Sequence, residues 1–121
     1  MRFAHVTIAV KDMEESLHFY GDIIGLPEVR RLPSAPGREI VFLGNENESL
    51  VELIYNSAQA DFSFGASLSI GFEVPSLDAM LEKLREEGID PGPVSSPNPV
   101  MRMIFITDPN GVRVQFLEEK R

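Results

Sequence analysis

Cysteine is absent from the 121 residues, which removes disulfides, thiolate nucleophiles, iron–sulfur clusters and every zinc site built on sulfur. A metal bound by this chain has to be held by imidazole, carboxylate, amide or hydroxyl groups. No run approaches the roughly 20 apolar residues needed to cross a bilayer. The opening MRFAHVTIAV also lacks the apolar stretch and small-residue cleavage site of a secretory signal, so a cytoplasmic location is expected. Positive charge is scarce: 11 Lys and Arg face 19 Asp and Glu, a net charge of −8. Such a field repels phosphate backbones and anionic lipid. Nucleic acid and membranes are therefore not expected partners, and a cationic or neutral small molecule is. What remains is ordinary: hydrophobic residues are 43% and charged residues 25%, the balance of a soluble globular chain long enough for one domain.

The chain repeats itself. HVTIAVKDMEESLHFY from His5 lies without gaps over SIGFEVPSLDAMLEKL from Ser69, each reading as strand, turn and helix. Val6, Ile8 and Val10 alternate with His5, Thr7 and Ala9, as Ile70, Phe72 and Val74 alternate with Ser69, Gly71 and Glu73. Asp12 followed by Glu15 has capping-box spacing, and Ser76 after Pro75 announces the second helix. Leu77, Met80, Leu81 and Leu84 form one helical stripe that Gly88 can end. IVFLGNENESLVELI from Ile40 likewise lies over MIFITDPNGVRVQFL from Met103, each a predicted hairpin. A further strand per unit is expected near residues 28–32 and Val94, where prolines restrict it to an edge or loop. The expected fold is α+β: two tandem βαβββ modules, about residues 1–56 and 66–118 joined by a linker at 57–65, in one domain over 1–121. Their strands are expected to form one continuous, strongly curved mixed sheet around a cavity, with the helices outside.

Side chains alternate across a strand, so if Val6, Ile8 and Val10 face the helix, His5, Thr7 and Ala9 face the cavity. Ser69, Gly71 and Glu73 follow by the repeat. Val51 and Leu53 match Val114 and Phe116 as core, which turns Glu52 and Gln115 inward. His5, Glu52, Ser69 and Gln115 thus occupy equivalent inner positions. Glu52 is the most informative, because a carboxylate inside the apolar run LVELIY is costly to bury without a cation or hydrogen-bond donors. It reads as a metal ligand or general base, although alternation equally permits a solvent-facing residue. His18, on the first helix, reads as a surface residue.

HVTIAVKDMEESLHFYGDIIGL, LVELIYN at 50–56, GFEVPSLDAMLEKLREEGI and DPNGVRVQFLE at 108–118 together resemble the vicinal oxygen chelate superfamily of glyoxalases, bleomycin-resistance proteins and extradiol dioxygenases. MRFAHVTIAV and VELIYN resemble bacterial lactoylglutathione lyase in particular. That resemblance implies a lyase or isomerase using a divalent metal, nickel or zinc, on a small vicinal-oxygen substrate. It makes His5 and Glu52 the first histidine and glutamate ligands. The second histidine position holds Ser69, and the second glutamate, the catalytic base of the lyases, is Gln115. Glutamine can ligate through its carbonyl oxygen, but an amide cannot take a proton near neutral pH. The metal ligands expected are therefore His5, Glu52 and Gln115, with Glu52 as the catalytic carboxylate. The family's glutathione-contacting asparagine corresponds to Asn56, and the arginine usual in the first strand is Ala9 here.

A second reading is a metal-free binding protein of the bleomycin-resistance type, sequestering a cationic ligand near Glu52, Glu73, Phe62, Phe64 and Met101, with Glu73 a candidate ligand contact. A third is a structural domain whose cavity is closed around a hydrogen bond between His5 and Glu52. The resemblance further implies a homodimer. Specificity is expected in residues 32–37 and 91–101.

Overall fold

The two strand–turn–helix segments form where their capping residues place them. The structure, a computed structural model, describes residues 1–33 and 35–120; Ser34, in the first expected specificity loop, lies outside them. β1 (His5–Val10) leads into α1 (Met13–Leu17), whose N-cap Asp12 accepts a hydrogen bond from the Glu15 backbone N–H at 3.1 Å. β5 (Ser69–Glu73) leads into α2 (Leu77–Glu86), where the Ser76 hydroxyl accepts from the Ala79 N–H at 3.1 Å. Gly88, at φ +74°, ends α2 as expected, its N–H donating to the Arg85 carbonyl at 3.0 Å.

One local feature departs from the periodicity. After α1 the chain widens into a π-helical turn over His18–Ile23. Consecutive side chains diverge less in the wider turn. Phe19 and Tyr20 therefore both reach the core, at 3% and 0% exposure, with their rings edge to face at 4.9 Å.

The remaining strands are β2 (Glu28–Pro33), β3 (Arg38–Leu43), β4 (Leu50–Asn56), β6 (Ser95–Asn98), β7 (Met101–Thr107) and β8 (Arg113–Glu119). The chain divides into two compact units, Met1–Ser63 and Phe64–Arg121. Each holds a four-stranded mixed sheet, in the orders β1-β4-β3-β2 and β5-β8-β7-β6. The α+β class and the two tandem βαβββ modules are as expected. The single continuous sheet is not: hydrogen bonding divides the strands into two sheets of four. Each sheet stops on one side at a strand bearing proline, Pro33 in β2 and Pro97 in β6. Proline lacks the N–H needed to extend a ladder.

The duplication extends to the register. β1 pairs in parallel with β4 so that Thr7 faces Glu52, and β5 with β8 so that Gly71 faces Gln115. In the first unit Ile8, Val10, Val41, Leu43, Val51 and Leu53 are buried, and α1 packs against β4. In the second unit Leu77, Leu81 and Leu84 of the α2 stripe are buried along with Ile104, Ile106, Val114 and Phe116, and α2 packs against β8. Met80, the fourth residue of that stripe, stays half-buried.

A charged contact pins α2 to its sheet. Glu118 on β8 accepts from the Leu77 N–H at 3.0 Å and from Arg102 at 3.2 Å, and Arg102 also reaches Asp78 at 3.3 Å. The Leu77 backbone bond, and then the Arg102 guanidinium, hold the Glu118 carboxyl below its ordinary pKa of 4.5. A depressed carboxyl stabilises the fold fully above its unfolded pKa, and that contribution is lost as pH falls through the lowered folded value. Glu118→Gln is accordingly expected to melt a few degrees below the parent at pH 7. In thermal melts across pH, the gap should close as the solution is acidified below the ordinary carboxylate range. A gap independent of pH would refute the assignment.

Candidate functional site

In the first unit the strand pairing fixes one face of the sheet: His5 and Thr7 on β1, Glu52 on β4 opposite Thr7, Phe42 on β3 opposite Glu52, and Arg30 on β2 opposite Phe42. The opposite face is the apolar core, which is why a carboxylate can stand amid LVELIY. The Thr7 hydroxyl donates to Glu52 Oε1 at 2.5 Å, and His5 Nε2 lies 3.4 Å from the same oxygen. The cross-strand partner of Glu52 is thus Thr7, with His5 two positions earlier on the same face. The His5 side chain is 39% exposed and that of Glu52 12%, so the pair is open to solvent on the histidine side. Phe42 supports it from below, its ring edge to face with His5 at 5.6 Å. The Arg30 guanidinium sits over the same ring at 4.5 Å.

The corresponding face of the second unit carries Ser69, Gly71 and Glu73 on β5, Arg113, Gln115 and Leu117 on β8, and Thr107, Phe105 and Met103 on β7. The Gln115 amide donates to Met103 Sδ at 3.0 Å. Its oxygen lies against Gly71, 3.0 Å from where a Cβ would stand, so the missing side chain at 71 leaves room for it. Ser69 is exposed across from Arg113. Arg113 places its guanidinium over the Phe105 ring at 3.8 Å.

Asn56 ends β4, where its side-chain oxygen accepts from the Ala58 N–H at 3.0 Å and shapes the chain leaving the strand. Glu73 ends β5 and is exposed. Phe62 is half-buried with the Lys11 ammonium 5.8 Å from its ring centre, and Phe64 is half-buried. Met101 lies on the Gln115 face, two positions before Met103. His18 is on the surface, with Nδ1 2.9 Å from Asp22 Oδ2.

Sequence reading did not single out Arg30, Phe42, Phe105 or Arg113. A signal for them was present, since hairpin pairing places Phe42 and Phe105 directly across from Glu52 and Gln115. The arginines above those rings come from side-chain packing, which alternation does not encode.

The donor set can be tested against a metal. Two ligands about 2.1 Å from a tetrahedral zinc lie about 3.4 Å apart, and His5 Nε2 and Glu52 Oε1 are 3.4 Å apart. They fit two neighbouring coordination positions. Among the described residues no three His, Asp or Glu side chains gather as a metal-binding group, so the rest of the shell has to come from an amide, a hydroxyl or water. Among those residues, too, no helix is long and apolar enough to cross a membrane.

The sequence profile described as Glyoxalase/Bleomycin resistance protein/Dioxygenase superfamily matches residues 2–116. A lactoylglutathione lyase of Escherichia coli is 27% identical over 129 aligned positions, covering 99% of this chain and 94% of that protein. A solved glyoxalase family protein from Bacillus cereus superposes with a TM-score of 0.83 at 22% identity, covering 100% of this chain and 95% of that one. An antibiotic binding protein from a Streptomyces species superposes at 0.72 with 18% identity, covering 99% and 97%.

Proposed function

The chain belongs to the glyoxalase/bleomycin resistance protein/dioxygenase superfamily, and from that premise we propose that it is a lyase or isomerase of the lactoylglutathione lyase type, acting on a small vicinal-oxygen substrate. The observation that carries this reading is the convergence of His5 Nε2 and Glu52 Oε1 at 3.4 Å on an accessible sheet face. His5, Glu52 and Gln115 are the proposed ligands of a divalent metal, nickel or zinc. A metal held there would supply Lewis acidity to a substrate carbonyl oxygen. Glu52 is the proposed catalytic carboxylate: Thr7 fixes one of its oxygens by a hydrogen bond, and the group can take a proton from carbon and return it to the neighbouring carbon. Gln115 can bind through oxygen and orient, but its amide cannot act as a base. Asn56 and Glu73 are the proposed substrate contacts. The two units are taken as one domain, working in the cytoplasm as a homodimer.

A metal-free binding protein is the second reading. It is favoured by the absence of a third His, Asp or Glu near the pair among the described residues, and the fold shared with an antibiotic binding protein accords with it. Elemental analysis separates the two. Protein purified with no chelator and no immobilised-metal step is expected to carry near-stoichiometric nickel or zinc, and His5→Ala to lose it. If the parent holds no metal and takes up none on titration with nickel, zinc, manganese or iron, the lyase reading fails and the binder stands.

A further inference from the structure

Arg113 has a setting that the ligand pair does not explain. It lies at the start of β8, exposed, with its guanidinium over the Phe105 ring at 3.8 Å. Among the described residues no carboxylate pairs with it, although the chain carries 19 Asp and Glu. Arg102 and Arg31 show the contrast, each bound to two carboxylates. The aromatic face holds the guanidinium without occupying the N–H groups at its edge, which are the groups that grip an oxyanion.

Arg113 lines a cleft of about 490 Å³ contained in the second unit, with Phe105, Ile106, Thr107 and the small residues Gly65, Ala66 and Gly111 around it. Thr107 is the direct cross-strand neighbour of Arg113 and lines the same cleft. Gly65, Ala66 and Gly111 present no bulk there. Among the described residues no acidic side chain lines the cleft. Arg113 also shares a strand face with Gln115, two residues along β8, a separation of roughly 7 Å.

We propose that Arg113, seated on Phe105 and flanked by Thr107, is a binding site for the oxyanion group, carboxylate or phosphate, of a small acidic ligand. This names the substrate class of the lyase reading and rests on that reading only for the reacting end: the substrate is a vicinal-oxygen acid whose anionic end is held one strand step from Gln115. The net charge of −8 favours cations at long range, but salt screens such a field beyond about 10 Å. At contact the unpaired guanidinium decides. At this site an anionic ligand is proposed where net charge led to the expectation of a cationic or neutral one.

The test uses the full chain and three probes titrated by calorimetry and by NMR of the arginine side-chain N–H signals: glycolate, 2-phosphoglycolate and uncharged ethylene glycol. At least one acid is expected to bind and to shift the Arg113 signal, with the neutral diol inert. The ratio of the two acids' affinities tells carboxylate from phosphate. Arg113→Gln, at an exposed position, is expected to keep the parent melting temperature and to weaken binding at least about ten-fold. Arg113→Lys, which keeps the charge and loses the planar fork, should recover only part of it. The titrations are repeated in His5→Ala protein, where binding is expected to persist, so loss of the metal reading and loss of this site are told apart. No binding of either acid, binding unchanged in Arg113→Gln, or equal binding of the diol would each overturn the proposal.

Discussion

Glu52→Gln is expected to abolish turnover and to strip the protein of metal, the largest functional loss that a single substitution should produce here. The change is nearly isosteric and keeps an oxygen able to accept from Thr7, now 2.5 Å away, so the fold should survive. It removes the negative charge, and with it the base: a carboxylate can take a proton at neutral pH and an amide cannot. Loss of a positioned general base costs about 10²–10⁴-fold in rate, and here the same residue is also a proposed ligand. Metal content by elemental analysis and isomerisation of the methylglyoxal–glutathione hemithioacetal, or of vicinal-oxygen acids, provide the readouts. A Glu52→Gln protein with full metal and undiminished turnover would end the lyase reading. Thr7→Val sharpens the interpretation, because it frees the oxygen without touching the charge. A drop in kcat with metal retained would mark Thr7 as a positioning residue.

The largest loss of stability is expected at a site with no part in that chemistry. Asp108 is buried, at 5% exposure, in the turn between β7 and β8. Its Oδ1 accepts from the backbone N–H groups of Asn110 and Val112, both at 2.8 Å, and Oδ2 accepts from the Asn110 side chain at 3.2 Å. The carboxylate thus replaces the strand partners that a turn denies to those amides. Alanine would leave both buried N–H groups without an acceptor. Bonds to a charged acceptor contribute about 1.5–3 kcal/mol each and do not add fully, so Asp108→Ala should cost about 3 kcal/mol. That corresponds to roughly 10 °C in Tm for a chain of this size. Asp108→Asn keeps the Oδ1 acceptor and should cost less than half as much. Equal melting temperatures for Asp108→Ala and the parent would show that solvent satisfies the turn.

Much of this was legible in the sequence because the relevant physics is local. Asp12 and Ser76 cap their helices since a short polar side chain before an apolar stripe has an N–H to accept from. Glu52 and His5 share a face because alternation has a period of two, and the repeat, with one residue of offset lost between its two blocks, carried Gln115 to the equivalent place. The π-helical turn at His18–Ile23 was not legible, since it follows from seating Phe19 and Tyr20 together in the core. Nor was the division into two sheets. Apolar alternation says which face of a strand is buried and nothing about which edge it pairs with.

The sequence by itself determined the family resemblance, the duplicated unit, the core faces and the placing of His5 and Glu52 on one strand face. Each of these depends on the order of residue types along a few turns or one strand. Only the tertiary structure decided that Thr7, rather than His5, stands opposite Glu52, that Gln115 rests in the space left by Gly71, and that Arg113 lies over Phe105 with its N–H groups unclaimed by any described carboxylate. Those depend on strand register and side-chain packing between segments distant in the chain, where partners are set by the fold as a whole.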